Sequence, residues 1–256
     1  MSRAAPLACA ITLGACLLFQ IQFLLARQIL PWFGGSPAVW STSLVVFQVL
    51  LLAGYAWAHG LARLPSKRWQ AGLQAALVIA GLGVVAWHTI MWPSPVMPGA
   101  NWKPVADQSP IASIAVLLVA TIGVPFLTLA STSPLLQRWH AAGVFTRRAD
   151  TSTVGRTGSP YRWYAASNAG SLVGLLSYPL VVEPNLDLLR QGRWWSLGYV
   201  AFAAAMLACA WMAGTDPGTG HRAAGTGTRP DTGDGTVRTG EQSGTGSEAD
   251  ARGGAA

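Results

Sequence analysis

Few residues in this chain have the chemistry to act on anything. Between residues 1 and 214 the only carboxylates are Asp107, Asp150, Glu183 and Asp187. Of these only Glu183 touches a long apolar run, at its end, after Pro179. A proton-coupled or cation-coupled carrier normally places a carboxylate at mid-depth in the bilayer, where it compensates the ion. This sequence offers none there. Glu183 therefore reads either as a cation site at an outer mouth or as a capping and interfacial group.

The uncharged polar residues inside the apolar runs are Gln20, Gln22, Gln48, Tyr55, His59, Gln74, His88, Asn168 and Tyr178. Each has two readings. An amide or phenol can hydrogen-bond across a helix contact, or several can turn toward one polar cavity. Gln48 and Tyr55 are seven apart and share one helix face. Gln22, Gln48, Tyr55, Asn168 and Glu183 make up the candidate cavity set. Neither a metal nor a cofactor is called for. His59 and His88 lie near opposite membrane faces by the spanning topology, and Cys9, Cys16 and Cys209 lie within apolar sequence without metal or redox spacing. The cysteines read as small packing residues. No GxSxG, HExxH, phosphate loop or strand-borne glycine fingerprint occurs. The sequence thus predicts a chain without catalytic residues of its own.

The elements that would position these residues follow from composition. Hydrophobic residues make up 51% of the chain and charged residues 11%, with a mean hydropathy of +0.37. A soluble domain carries roughly 25% charged residues to hydrate its surface, so lipid is the expected outer solvent. The net charge of +7 comes from basic residues scattered between apolar runs. A nucleic-acid interface would cluster them on one face. A helix crossing a hydrocarbon core of about 30 Å needs about 20 apolar residues. Six segments qualify, near 7–30, 39–58, 70–92, 111–129, 164–182 and 194–213. The expected fold is all-α, a polytopic transmembrane bundle spanning 1–214, with a Gly/Thr-rich, disordered tail over 215–256. That tail is too polar to offset its ordering entropy. Leu13 to Cys16 loosely resembles a lipoprotein cleavage box, but the sequence after Cys16 stays apolar, unlike the sequence after a cleaved signal.

Charge asymmetry predicts orientation. Thirteen Lys/Arg fall before the first run, between the second and third, between the fourth and fifth, and in the tail. Only Arg27, Lys103, Arg190 and Arg193 lie in the three opposite connections. The positive-inside rule then places both termini in the cytoplasm. Most tryptophans lie near predicted span ends, where an indole sits well among headgroups.

The connections carry their own signals. In Pro31 to Pro37, Gly34 and Gly35 permit positive φ, Ser36 can cap the next helix, and Pro37 suits its first position. Pro125 lies within the fourth run and should kink it. Ala166, Gly170 and Gly174 repeat every four residues in the fifth, a spacing that lets two helix backbones approach.

Longer stretches resemble a known family. The run from Gln22 to Trp40, with Arg27, Gly34 and Gly35, is similar to the start of bacterial fused membrane/spermidine synthase-like proteins. Phe47-Gln48, Gly54-Tyr55-Ala56, His59, Thr132 to Gln137, Pro160 to Leu172, Ser177 to Pro179 and Glu183-Pro184 continue that pattern. The resemblance implies a transporter-like domain of the bacterial inner membrane, tied to polyamine (spermidine) metabolism or transport. That family usually joins it to a cytoplasmic aminopropyltransferase-like domain. Here the polar tail stands in that place, so the resemblance carries no catalytic residue over. It implies a domain acting as a homo-oligomer or beside a separately encoded synthase-like protein. The alternatives are a non-transporting anchor or regulator of such an enzyme, or a piece of a once-fused gene. Six spans also match one half of a major facilitator fold, although Gly60 to Arg68 lacks that fold's Asp.

Overall fold

The computed structural model describes residues 4–103, 109–145 and 161–215. Among them, six helices are long and apolar enough to cross a membrane: α1 (Ala4–Phe33), α2 (Pro37–Ala62), α3 (Lys67–Met91), α4 (Pro110–Ala141), α5 (Tyr161–Asn185) and α6 (Leu188–Gly214). No strand occurs among the described residues. The fold is an all-α, multi-pass membrane bundle. The segment 216–256, and with it nearly all of the tail anticipated over 215–256, lies outside the described residues.

Local chemistry sets the helix ends. Gly34 has φ +80° and its N–H donates to the Leu30 carbonyl, closing α1. Ser36 Oγ then accepts from the Val39 N–H at 3.4 Å, with Pro37 opening α2. Asp187 caps α6 in the same way, accepting from the Arg190 N–H at 3.2 Å. In α5 the turn Tyr178–Val182 widens to π-helical geometry. Pro179 supplies no N–H there, and the wider turn accommodates the missing bond.

Helix α4 stays helical through Pro125 and Pro134. It lies beside α1 at the centre, and both bury 44% of their apolar windows, against 17% for α5. Helix α2 packs on α4 and α5 packs on α1, so the four form a row in the order α2, α4, α1, α5. Helices α3 and α6 pack against each other behind α4 and α1.

Buried hydrogen bonds tie the back of this arrangement. Gln74 accepts from the Trp57 indole at 3.0 Å and donates to Ser131 at 3.1 Å. Gln70 accepts from the Trp139 indole at 2.9 Å and donates to the Leu64 carbonyl at 2.7 Å. Thr128 and Tyr199 hydroxyls meet at 2.7 Å between α4 and α6. Trp139, Trp163 and Trp195 correct the interfacial reading of the tryptophans. All three are buried in the bundle, and the Trp195 indole donates to the Leu17 carbonyl at 3.0 Å. Trp40, Trp69, Trp194 and Trp211 are exposed, as an interfacial belt requires.

Candidate functional site

One seam organises the front of the bundle. Helices α1 and α5 run parallel, and their residues meet in order: Gly170 against the main chain of Thr12, Gly174 against that of Cys16. The Gln20 amide then donates to Ser177 Oγ at 2.9 Å, and Phe23 stacks on Tyr178 with ring centroids 5.3 Å apart. Arg27 and Glu183 close the series as an ion pair at 3.5 Å. Of the small-residue set predicted for packing, Gly170 and Gly174 face α1 directly, and half-buried Ala166 packs at the edge of the apolar core.

The helix row leaves a groove between α2 and α5, floored by α1 and α4. Its volume is about 510 Å³. Gln22 comes from α1, Gln48 and Tyr55 from α2, and Asn168 from α5. Four of the five candidate cavity residues thus share one site. Glu183 stands apart, paired to Arg27 beyond the groove. Sequence reasoning left out Ser133, Gln137, Tyr164, Ser167 and Ser171 as lining residues. Their spacing (133 to 137, and 164, 168, 171) is that of one helix face, but Gln137 and Tyr164 sit at span ends, where polar residues draw no notice.

The lining is uncharged, with polar side chains set into a mainly apolar surface. The Gln22 amide donates to the Leu18 carbonyl at 3.2 Å, leaving its oxygen free to accept. The Gln137 amide donates to Ser133 Oγ at 2.9 Å, and Ser133 in turn reaches Ser167 Oγ at 3.4 Å. Gln48, Tyr55, Tyr164 and Asn168 are exposed and have no hydrogen-bond partner among the described residues. Ile11, Leu18 and Leu129 supply apolar patches between these groups.

The groove is not centred along the helices. Its lining residues run from Ile11 to Gln22 on α1, about 16 Å of helix rise. Most of them lie toward the end that carries Arg63, Lys67, Arg68, Arg138 and Arg162, the basic end, with Gln22 and Gln48 near mid-depth. Beyond Gln22, the Phe23–Tyr178 stack and the Arg27–Glu183 pair hold α1 to α5. The uncharged amides and hydroxyls along the groove can donate and accept hydrogen bonds. No cluster of three His, Cys, Asp or Glu able to hold a metal occurs among the described residues.

These features define a polytopic α-helical membrane protein with an uncharged groove of mixed polar and apolar lining. No family model, curated protein or solved structure matches the chain.

Proposed function

We propose that this chain is a transporter-like domain of a bacterial inner membrane whose groove holds a solute of the polyamine class. The observation that carries the reading is the convergence of Gln22, Gln48, Tyr55 and Asn168, scattered through the sequence, on one groove of about 510 Å³. That volume lies in the ordinary range for small-molecule sites. An extended amine alternates N–H donors with methylene runs. The amide oxygens of Gln22, Gln48 and Asn168 accept from the donors, the Tyr55 and Tyr164 ring faces attract ammonium charge, and Ile11, Leu18 and Leu129 meet the methylenes. The class of solute comes from the family resemblance. The thirteen-to-four distribution of Lys/Arg supports an orientation with the basic end, and so both termini, in the cytoplasm.

Uptake of labelled spermidine or putrescine by vesicles reconstituted with the purified chain tests this. Wild-type protein is expected to exceed empty vesicles, and Gln48→Leu with Asn168→Leu to bring uptake down at least tenfold. Uptake no greater than in empty vesicles, from protein that remains helical and monodisperse, would end the transport reading. Recovery of a synthase-like enzyme on the same protein would then favour the anchor role.

A further inference from the structure

Gln20 and Gln22 are two residues apart on α1, which sets them about 200° apart around the helix. Gln22 faces the groove on one side of the α1–α5 seam, and Gln20 faces a second cavity on the other side. Helices α5 and α6 each pack on α1 but scarcely on each other, and the crevice between them measures about 260 Å³. Gln20 lines its deep end, about 20 Å of helix rise from the C-terminal end of α1. Tyr178 and Val182 of α5 and Gln191 and Trp194 of α6 line it nearer the membrane surface. The Gln20 amide nitrogen donates to Ser177, but its oxygen has no hydrogen-bond partner among the described residues. An acceptor at that depth, if it faced acyl chains, would lose the bond it makes in water. Water or a donor group in the crevice satisfies it, and the volume is room for about eight or nine waters.

The rim of this crevice carries the carboxylate that the groove lining lacks. Glu183 follows Val182 in the chain and pairs with Arg27 at 3.5 Å, both side chains a little under half exposed. The Arg27 guanidinium has a second partner, the Tyr178 hydroxyl oxygen, while that hydroxyl donates to Gln191 Oε1 at 3.0 Å. An ion pair so exposed is weak. An arriving cation can take Glu183 while Arg27 keeps Tyr178 and is hydrated at the surface. We propose that the crevice is a second subsite, which receives one ammonium end of a linear amine by exchange with Arg27 on Glu183. The exposed Trp194 indole offers its ring face to the same charge. Leu24 and Leu186 meet the methylenes, and the Gln20 oxygen accepts from the next N–H along the chain. The volume suits one end of such a molecule rather than the whole.

This subsite rests on the amine reading above, and its test separates the two. Cys9, Cys16 and Cys209 are replaced by alanine, and Gln20→Cys is added. Vesicles are treated, on the face that carries Arg27, with an impermeant thiosulfonate bearing a trimethylammonium group, and separately with one bearing a sulfonate. Relative to their rates on a free thiol, the cationic reagent is expected to react several-fold faster, and spermidine to slow it. Val182→Cys, on the α5 wall, should behave alike. Gln22→Cys, facing the groove, and Ile79→Cys, exposed on α3, should not react from that face. Glu183→Gln should remove the preference for the cation, and Arg27→Gln should enlarge it. A pair that only tied the helices together would respond alike to both changes, and that result overturns the exchange. No reaction at either Gln20→Cys or Val182→Cys means that lipid fills the crevice, and overturns the subsite. Labelling that spermidine slows, without uptake, keeps the subsite and ends the transport reading. Uptake without such labelling does the reverse.

Discussion

Gly174 of α5 lies against the main chain of Cys16 on α1, so closely that a Cβ there would meet the Cys16 carbonyl oxygen. Gly170 stands in the same relation to Thr12 one turn earlier. A backbone oxygen in a helix cannot swing aside as the end of a long side chain can. Gly170→Val and Gly174→Val should therefore destabilise the bundle by about 1–3 kcal/mol each, the usual cost of overpacking. Gly83→Ala, where nothing lies within 4 Å of the added carbon, should be neutral or slightly stabilising because alanine is the better helix former. Thermal unfolding in detergent micelles checks the contrast.

The Thr128–Tyr199 contact predicts an order of effects. Thr128 Oγ1 donates to the Pro125 carbonyl at 2.6 Å, so Tyr199 is the donor in their 2.7 Å hydrogen bond. Tyr199→Phe leaves Thr128 with its own acceptor satisfied and should cost about 1 kcal/mol. Thr128→Val strands the buried Tyr199 hydroxyl and should cost more, up to about 3 kcal/mol. Equal losses in the same unfolding assay would contradict this donor assignment.

The bundle was legible because lipid imposes a length and composition that six segments meet plainly. The split among the polar residues was not. Gln74 and Gln48 look alike in sequence, each an amide within an apolar run. Gln74 is consumed by Trp57 and Ser131, whereas Gln48 faces the groove. Which role each takes depends on helix rotation about its axis, and these helices are apolar nearly all round, so periodicity does not fix that rotation. Trp139 escaped for a similar reason. Nearness to a span end says nothing of whether an indole faces lipid or, as here, a buried glutamine.

Arg27 and Glu183 are each a little under half exposed. A pair so placed contributes under about 1 kcal/mol to stability, so Glu183→Gln should barely shift the unfolding midpoint. Its role in holding α1 to α5 beyond the groove predicts a larger effect on function. Uptake should fall in Glu183→Gln and recover in the exchanged pair Arg27→Glu with Glu183→Arg. Unchanged uptake in Glu183→Gln would remove the pair from the working cycle.

Orientation has its own test. A reporter active only in the cytoplasm should work when fused after Gly214, at the C-terminal end of α6, and fail when fused after Gly99, in the connection following α3. The reverse pattern would invert the bundle.

The most direct test of the groove as a solute site is access to Asn168. In the chain with its cysteines replaced by alanine, Asn168→Cys is treated with a membrane-impermeant maleimide in inverted and right-side-out vesicles. Labelling is expected only in inverted vesicles, where the basic end faces outward, and spermidine should slow it several-fold. No labelling from either side, or a rate that spermidine leaves unchanged, would contradict a solute-binding groove open at the basic end.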